Sequence, residues 1–108
     1  MIDIDALFVI NPVFTTGQIV ASRGVYELAC QSTDFAQFVQ KSLNRHVKGD
    51  WGDVDGEDKE TNNRALKQGT RLLSAYNDDR FPKRGVATIW IITEADCSST
   101  IILFPDEY

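Results

Sequence analysis

Apolar positions along the chain follow two rhythms, and the change between them falls at Gly69. Before it, the clearest segment begins at Ser32, Thr33 or Asp34, any of which supplies an N-cap. It continues through Phe35, Phe38, Val39, Leu43 and His46-Val47 at spacings of three, four and seven to eight. That stripe predicts an amphipathic helix with Gln37, Gln40, Lys41 and Asn44 on the wet face and Gly49 as its stop. A shorter helix is expected upstream, capped by Ser22 and carrying Val25, Leu28 and Ala29. A third, mostly polar, is expected from about Gly56 to Lys67, ending at Gly69, with Ala65 and Leu66 as its main apolar contacts. Asp55, followed three residues later by Asp58, sits where a capping box would.

After Gly69 the period becomes that of strands. Arg71 to Tyr76, Val86 to Thr93 and Ser99 to Phe104 each read as extended, with a loop from Asn77 to Gly85. The connector Glu94-Ala95-Asp96-Cys97-Ser98 makes the last two an antiparallel hairpin. Ala6 to Ile10, closed by Asn11-Pro12, predicts a first strand, and Gln18 to Ala21 a second short extended piece. Together these elements predict an α+β fold, a small antiparallel β-sheet with about three helices packed on one face. One domain over residues 1–108 is expected, since this length supports a single modest core.

Composition narrows the classes of function. With 43% apolar and 25% charged residues the chain is expected to fold, not to remain disordered. No apolar run approaches the roughly 20 residues of a membrane span. The acidic start MIDID lacks the basic flank of a secretory signal, so a cytoplasmic location is expected. Eleven Lys and Arg against sixteen Asp and Glu leave a net charge of -5, which disfavours direct nucleic-acid binding. A local basic patch at Lys41, Arg45, His46 and Lys48 is the exception. Cys30 and Cys97 form no CxxC pair, so zinc ribbons and thioredoxin-like motifs are excluded. Two reduced thiols, one or both buried, are expected instead.

The densest polar cluster is His46, Asp50, Asp53, Asp55, Asp58 and Glu60 around Trp51. Carboxylates invite calcium or magnesium, but an EF-hand alignment puts Trp51 at loop position one and Asn62 at twelve, where carboxylates are required. One His and two distant Cys are too few for zinc. Helix capping and a solvated acidic turn are the expected roles, with no metal and no cofactor. His46 is the sole candidate for His-based acid–base chemistry, with Asp50 and Asp53 as orienting neighbours; a satisfied structural His near a helix C-terminus is the commoner arrangement. No GxSxG, Walker A or GxGxxG motif is present. Trp90, within an apolar strand, is expected in the core. Trp51, among Asp50, Gly52 and Asp53, is expected either to be partly exposed as a binding anchor or to seal a helix–loop junction.

The stretches HVKGDWGDVDGEDKETNNRAL, RLLSAY and WIITEADCSSTIILFPDEY resemble a family of small bacterial proteins spread through plasmids, phages and other mobile elements. The likeness runs from about Gly17 to Tyr108. It rests on His46, Gly49, Asp50, Trp51, Gly52, Asp55, Asp58, Asn63, Ser74, Tyr76, Trp90, Thr93, Glu94, Asp96 and Glu107-Tyr108, and Cys97 departs from it where Arg is expected. The resemblance implies a setting more than a mechanism. In that setting, the expectation is a non-enzymatic protein-binding module acting as a counter-defence inhibitor of the anti-CRISPR or anti-restriction kind. It would bind and block a host nuclease complex through Asp50, Trp51, Asp53, Asp55, Asp58, Glu94 and Asp96. The alternative is a small metal- or ligand-dependent enzyme using His46, Asp50, Asp53, Glu94 and Asp96, which requires the connector and the hairpin turn to meet in space. A weaker third reading is a nucleic-acid binder using Lys41, Arg45 and Lys48.

Overall fold

A computed structural model of the chain describes residues 2, 3, 9, 11–78 and 88–108. The strand expected over Ala6 to Ile10 and most of the loop expected up to Gly85 lie outside them.

A two-residue strand β1 (Ile2–Asp3) pairs antiparallel with β2 (Gln18–Ala21). β2 ends at Ser22, whose N–H still donates to Ile102 (2.9 Å) while its Oγ accepts the Val25 N–H (3.2 Å) and starts α1 (Arg23–Gln31). Ser32 joins the next two elements. Its N–H closes α1 on Leu28 (2.9 Å), and its Oγ caps α2 (Thr33–Val47) at Phe35 (3.2 Å). The side chain thus satisfies a donor that the first turn of α2 leaves without an intrahelical partner. α3 (Gly56–Gln68) opens on Asp55, which accepts the Asp58 N–H (2.8 Å), and closes on Gly69 in the left-handed conformation at φ 72°. Three strands follow: β3 (Leu72–Asn77), β4 (Thr88–Thr93) and β5 (Ser99–Leu103). A 3-10 turn over Pro105–Glu107 comes last.

The sheet order is β1-β2-β5-β4-β3. β3–β4 and β4–β5 are antiparallel, with Leu72 opposite Thr93 and Ile91 opposite Ile102. The fold is α+β, as expected, but β2 lies parallel to β5, with Val20 opposite Ile101, so the sheet is mixed and not wholly antiparallel. A parallel partner must come from a distant part of the chain and leaves no hairpin signal in the local sequence.

Strand alternation sets the core. Ala21, Ile102, Ile89, Ile91 and Tyr76 face α1 and α2, meeting Val25, Phe35, Phe38, Val39, Leu43 and Val47. Burying each of the larger side chains stabilises the fold by about 1.5–3 kcal/mol. A smaller cluster of Trp51, Ala65 and Leu72, flanked by Phe14, Val54 and Leu66, seats α3 at the β3 end of the sheet. Two expectations are corrected. Trp90 alternates with Ile89 and Ile91, so it projects to the opposite face, half-buried against Tyr108 with ring centroids 5.6 Å apart. Cys30 is exposed on α1, Cys97 is half-buried in the hairpin turn, and both are free thiols. Among the described residues no helix is long and apolar enough to cross a membrane.

Candidate functional site

The acidic connector between α2 and α3 runs beside β3, and its residues divide into those turned inward and those turned out. Gly52 forms a parallel bridge with Ala75. The Ala75 N–H donates to Trp51 O (3.3 Å), and the Asp53 N–H donates to Ala75 O (2.7 Å). One residue pair further along, Asp53 Oδ2 accepts the Asn77 N–H (2.9 Å). On the other side, Asn62 of α3 accepts the Leu73 N–H (3.1 Å) and donates to Leu73 O (2.6 Å). The outward backbone groups of β3 are thereby bonded from Leu73 to Asn77, and the connector is fastened to the sheet. Gly52 is required here: its φ is 75°, and a Cβ would strike Ala75 O and the Tyr76 ring.

Asp50 bends the chain into this position. Its carboxylate takes Arg45 Nε at 2.8 Å and Nη2 at 3.2 Å, and also accepts the Gly52 N–H (3.2 Å). Its carbonyl accepts the Tyr76 hydroxyl (2.7 Å). The Arg45 hydrogen bond holds the Asp50 carboxyl below its ordinary range, against a smaller opposing effect of burial. Burial pushes the Tyr76 phenol well above its usual value. Trp51 is only 3% exposed, so it is not a surface anchor. It seals the helix–loop junction instead, donating from Nε1 to Asn63 Oδ1 (2.9 Å) and packing against His46 and Phe14. Apolar burial of the indole outweighs the polar character of its sequence neighbours.

His46 lies beneath Trp51 and Phe14 with no exposed surface. Nδ1 meets Ser74 Oγ, and Nε2 meets Thr93 Oγ1 at 2.9 Å. Thr93 Oγ1 bonds Thr100 Oγ1 (2.9 Å), which donates to Thr16 O (2.7 Å). One proton per hydroxyl sets the direction. Thr100 gives its proton to the carbonyl, so Thr93 donates to Thr100 and must accept from His46 Nε2–H. The bare Nδ1 then accepts from Ser74. Burial lowers the His46 pKa to about 3, so the ring is neutral, and among the described residues no buried side-chain nitrogen or oxygen is left without a hydrogen bond.

The sequence-predicted residues therefore separate. No hydrogen bond joins His46 to Asp50, Asp53, Glu94 or Asp96. Glu94 and Asp96 belong to the β4–β5 turn, where Glu94 lies 3.8 Å from Arg71 and Asp96 accepts the Ser98 N–H (3.0 Å). Bonds from the Ser98 hydroxyl and backbone keep the Asp96 carboxyl below its ordinary range. Thr93 pairs with Leu72 and Asp53 bonds Asn77, so the two acidic groups sit at opposite ends of β3, about 17 Å apart at strand rise. Among the described residues no three His, Cys, Asp or Glu are grouped to hold a metal ion. Asp53, Asp55, Asp58, Glu57 and Glu60 are exposed on the connector and the first turns of α3. Sequence reasoning gave no site role to Asn62, Thr93 or Thr100, although Thr93 is among the residues that carry the resemblance. The available signal was a polar residue at an inward position: Asn62 beside Ala65 and Leu66, and Thr93 and Thr100 in register with buried isoleucines. Comparison with known proteins finds no matching family model, curated protein or solved structure.

Proposed function

We propose that the protein is a non-enzymatic binding module carried by a mobile element. In this reading it acts in the bacterial cytoplasm as a counter-defence inhibitor that occupies the basic nucleic-acid channel of a host nuclease complex. The observation that carries this reading is the segment Asp50 to Asp58, which holds five carboxylates and no Lys or Arg, is fastened to β3 through Trp51, Gly52 and Asp53, and runs on into the first turn of α3. A preorganised row of acids presents charge to a cationic surface without the entropy cost of ordering a loop. The resemblance of HVKGDWG and WIITEAD to mobile-element proteins supplies the setting. The enclosure of His46, with both ring nitrogens hydrogen-bonded, favours this reading over an enzyme built on His46 and the carboxylates.

The contact is centred on the outward acids, because Asp50, Asp53 and Asp55 also hold the backbone. Trp51 is withdrawn from it, and Glu94 and Asp96 stand apart at the far end of the sheet. The test is capture from bacterial lysate with the tagged protein, read by mass spectrometry, beside a variant with Glu57→Lys, Asp58→Lys and Glu60→Lys. The expected result is one dominant nuclease or nucleic-acid-binding defence subunit, lost with the variant and displaced by competing DNA. Equal capture by the charge-reversed protein overturns the acidic contact. Recovery of no such subunit by the folded protein overturns the inhibitor reading.

A further inference from the structure

Residues 11–17 form a segment without regular structure, bounded by Asn11 and Gly17, whose backbones are left-handed at φ 51° and 64°. Among the described residues two hydrogen bonds tie it to other elements. The Val13 N–H donates to Val47 O at the end of α2 (2.8 Å), and Thr16 O accepts the Thr100 hydroxyl of β5 (2.7 Å). Pro12, Val13 and Thr15 are exposed, whereas the Phe14 ring turns inward and is half-buried. It stands edge-on to His46 with centroids 5.3 Å apart and stacks on Trp51 at 6.3 Å. The segment is a strap, and the side chain beneath it is the fully enclosed His46.

The groups around His46 decide what acid does to it. On α2 the nearby cations are Lys41 and Lys48, both exposed, and Arg45, turned outward onto Asp50. β3 brings Ser74 to the ring, and its one titratable group, the Tyr76 phenol, donates to Asp50 O. β4 and β5 bring Thr93 and Thr100, and Glu94 lies past the strand end beside Arg71. The connector brings Trp51, while the carboxylates of Asp50 and Asp53 turn to Arg45 and the Asn77 N–H. The strap itself has no titratable side chain. An enclosed imidazolium would therefore meet no carboxylate, and burial alone holds the pKa of the closed ring at about 3. A proton reaches the ring only if something withdraws. α2, β3 and β4 cannot do so without opening the main core, to which Leu43, Val47, Tyr76 and Ile91 belong; the strap can.

The gap between about 3 and the ordinary 6.5 is a factor of about 3,000 in proton affinity. A strap held closed by less than that factor opens before the closed ring takes up a proton. Each of its two hydrogen bonds holds it by about tenfold at most, and a ring left partly in water by about tenfold again. The product is about 1,000, and the entropy of ordering the segment lowers it. We infer that residues 11–17 are an acid-released strap: protonation of His46 lifts Phe14 away and frees the segment while the helices and the sheet stay folded. The incoming proton goes to Nδ1, which carries none in the closed ring. Asn11 and Gly17, at the two ends, are the hinges. Release places a positive charge behind the acidic connector and uncovers one face of Trp51. The device does not depend on the function proposed above, and either can fail alone.

The test is NMR of the full chain from about pH 7 to about pH 3.5, following the His46 ring protons and the backbone amides. The expected result is a His46 midpoint between about pH 4 and about pH 5, above that of the closed ring. At the same midpoint the Val13 amide loses exchange protection and the Phe14 and Thr16 signals shift, while Ile91 and Ile102 stay protected. Phe14→Ala weakens the strap and should raise the His46 midpoint by about one pH unit, the tenfold assigned to the ring. His46→Gln should keep Val13 protected to about pH 4, which separates His46 from carboxylates that titrate in that range. Four results overturn the inference: His46 titrating while Val13 stays protected, no His46 titration until Ile91 and Ile102 lose protection, an unchanged midpoint in Phe14→Ala, or release of the strap at the same pH in His46→Gln. Should His46→Gln fail to fold, the Phe14→Ala midpoint still decides.

Discussion

His46 is the one residue whose protonation separates cleanly from the rest of the molecule. It is the only histidine, and burial holds its folded pKa at about 3 against an unfolded value near 6.5. Between those values the unfolded chain binds a proton that the folded chain does not. Stability from this group is therefore fully present above about pH 6.5 and is lost as pH falls toward 3. Asp50, with its lowered carboxyl pKa, also loses stability in acid, but only below its unfolded value near 4. The window from pH 6.5 to 5 thus belongs to His46. Urea unfolding should show roughly 2 kcal/mol lost between pH 7 and 5, with no such slope in His46→Gln. A flat wild-type profile would mean that the ring is reached by water. The same residue shows how far the candidate site was legible. Its place at the end of a helix and its structural character could be read from spacing alone. Its partners Ser74 and Thr93 could not, because they lie 28 and 47 residues away and register brings them in. Trp51 shows the converse: its acidic neighbours suggest exposure, yet the ring fills the space over His46.

At the scale of elements, helices were far more legible than sheet order. Ser22, Ser32, Asp55 and Gly69 mark helix ends by chemistry that acts over three or four residues, and each does so where expected. Strand runs were legible for the same reason, to within about two residues over the described part. The parallel β2–β5 pair and the sealing of β3 were not, since both join segments far apart in the chain. That sealing has a cost if broken. Asn62 alone satisfies the outward N–H and C=O of Leu73, so Asn62→Ala should destabilise by about 2–3 kcal/mol, the penalty of orphaned groups at a partly covered edge. Hydrogen exchange distinguishes this from a general loss. The Leu73 amide should lose protection well beyond the global change, while that of Ile91, inside the sheet, follows the global change only. Equal loss at both would mean that Asn62 acts through packing and leaves the edge covered. An unprotected β3 is also a template for strand addition, so the variant should be more prone to associate.

For the whole molecule, the division of labour within the acidic segment decides how its charge can be used. Asp55 spends its carboxylate on the Asp58 N–H, whereas Glu57, Asp58 and Glu60 point outward from the start of α3. Stability and association should therefore respond to different residues. Asp55→Ala should lower stability by about 1 kcal/mol in a thermal melt, the usual worth of an N-cap. It removes one of five charges between Asp50 and Asp58, so association with a basic partner should keep most of its salt dependence. Reversal of Glu57, Asp58 and Glu60 should do the opposite. The helix loses a few tenths of a kcal/mol per residue through its dipole, while the association rate falls and its dependence on ionic strength flattens. Stopped-flow association from 50 to 500 mM salt reads this directly, and dissociation should change less, since outward charges steer encounter more than they hold the complex (screening length about 10 Å at 0.1 M). A steep salt slope that survives the triple reversal would place the steering charges elsewhere. Charge reversal at Glu94 and Asp96, at the opposite end of β3, then distinguishes a partner that approaches the sheet from the hairpin side from one steered by the exposed Asp53 and Asp55 of the connector.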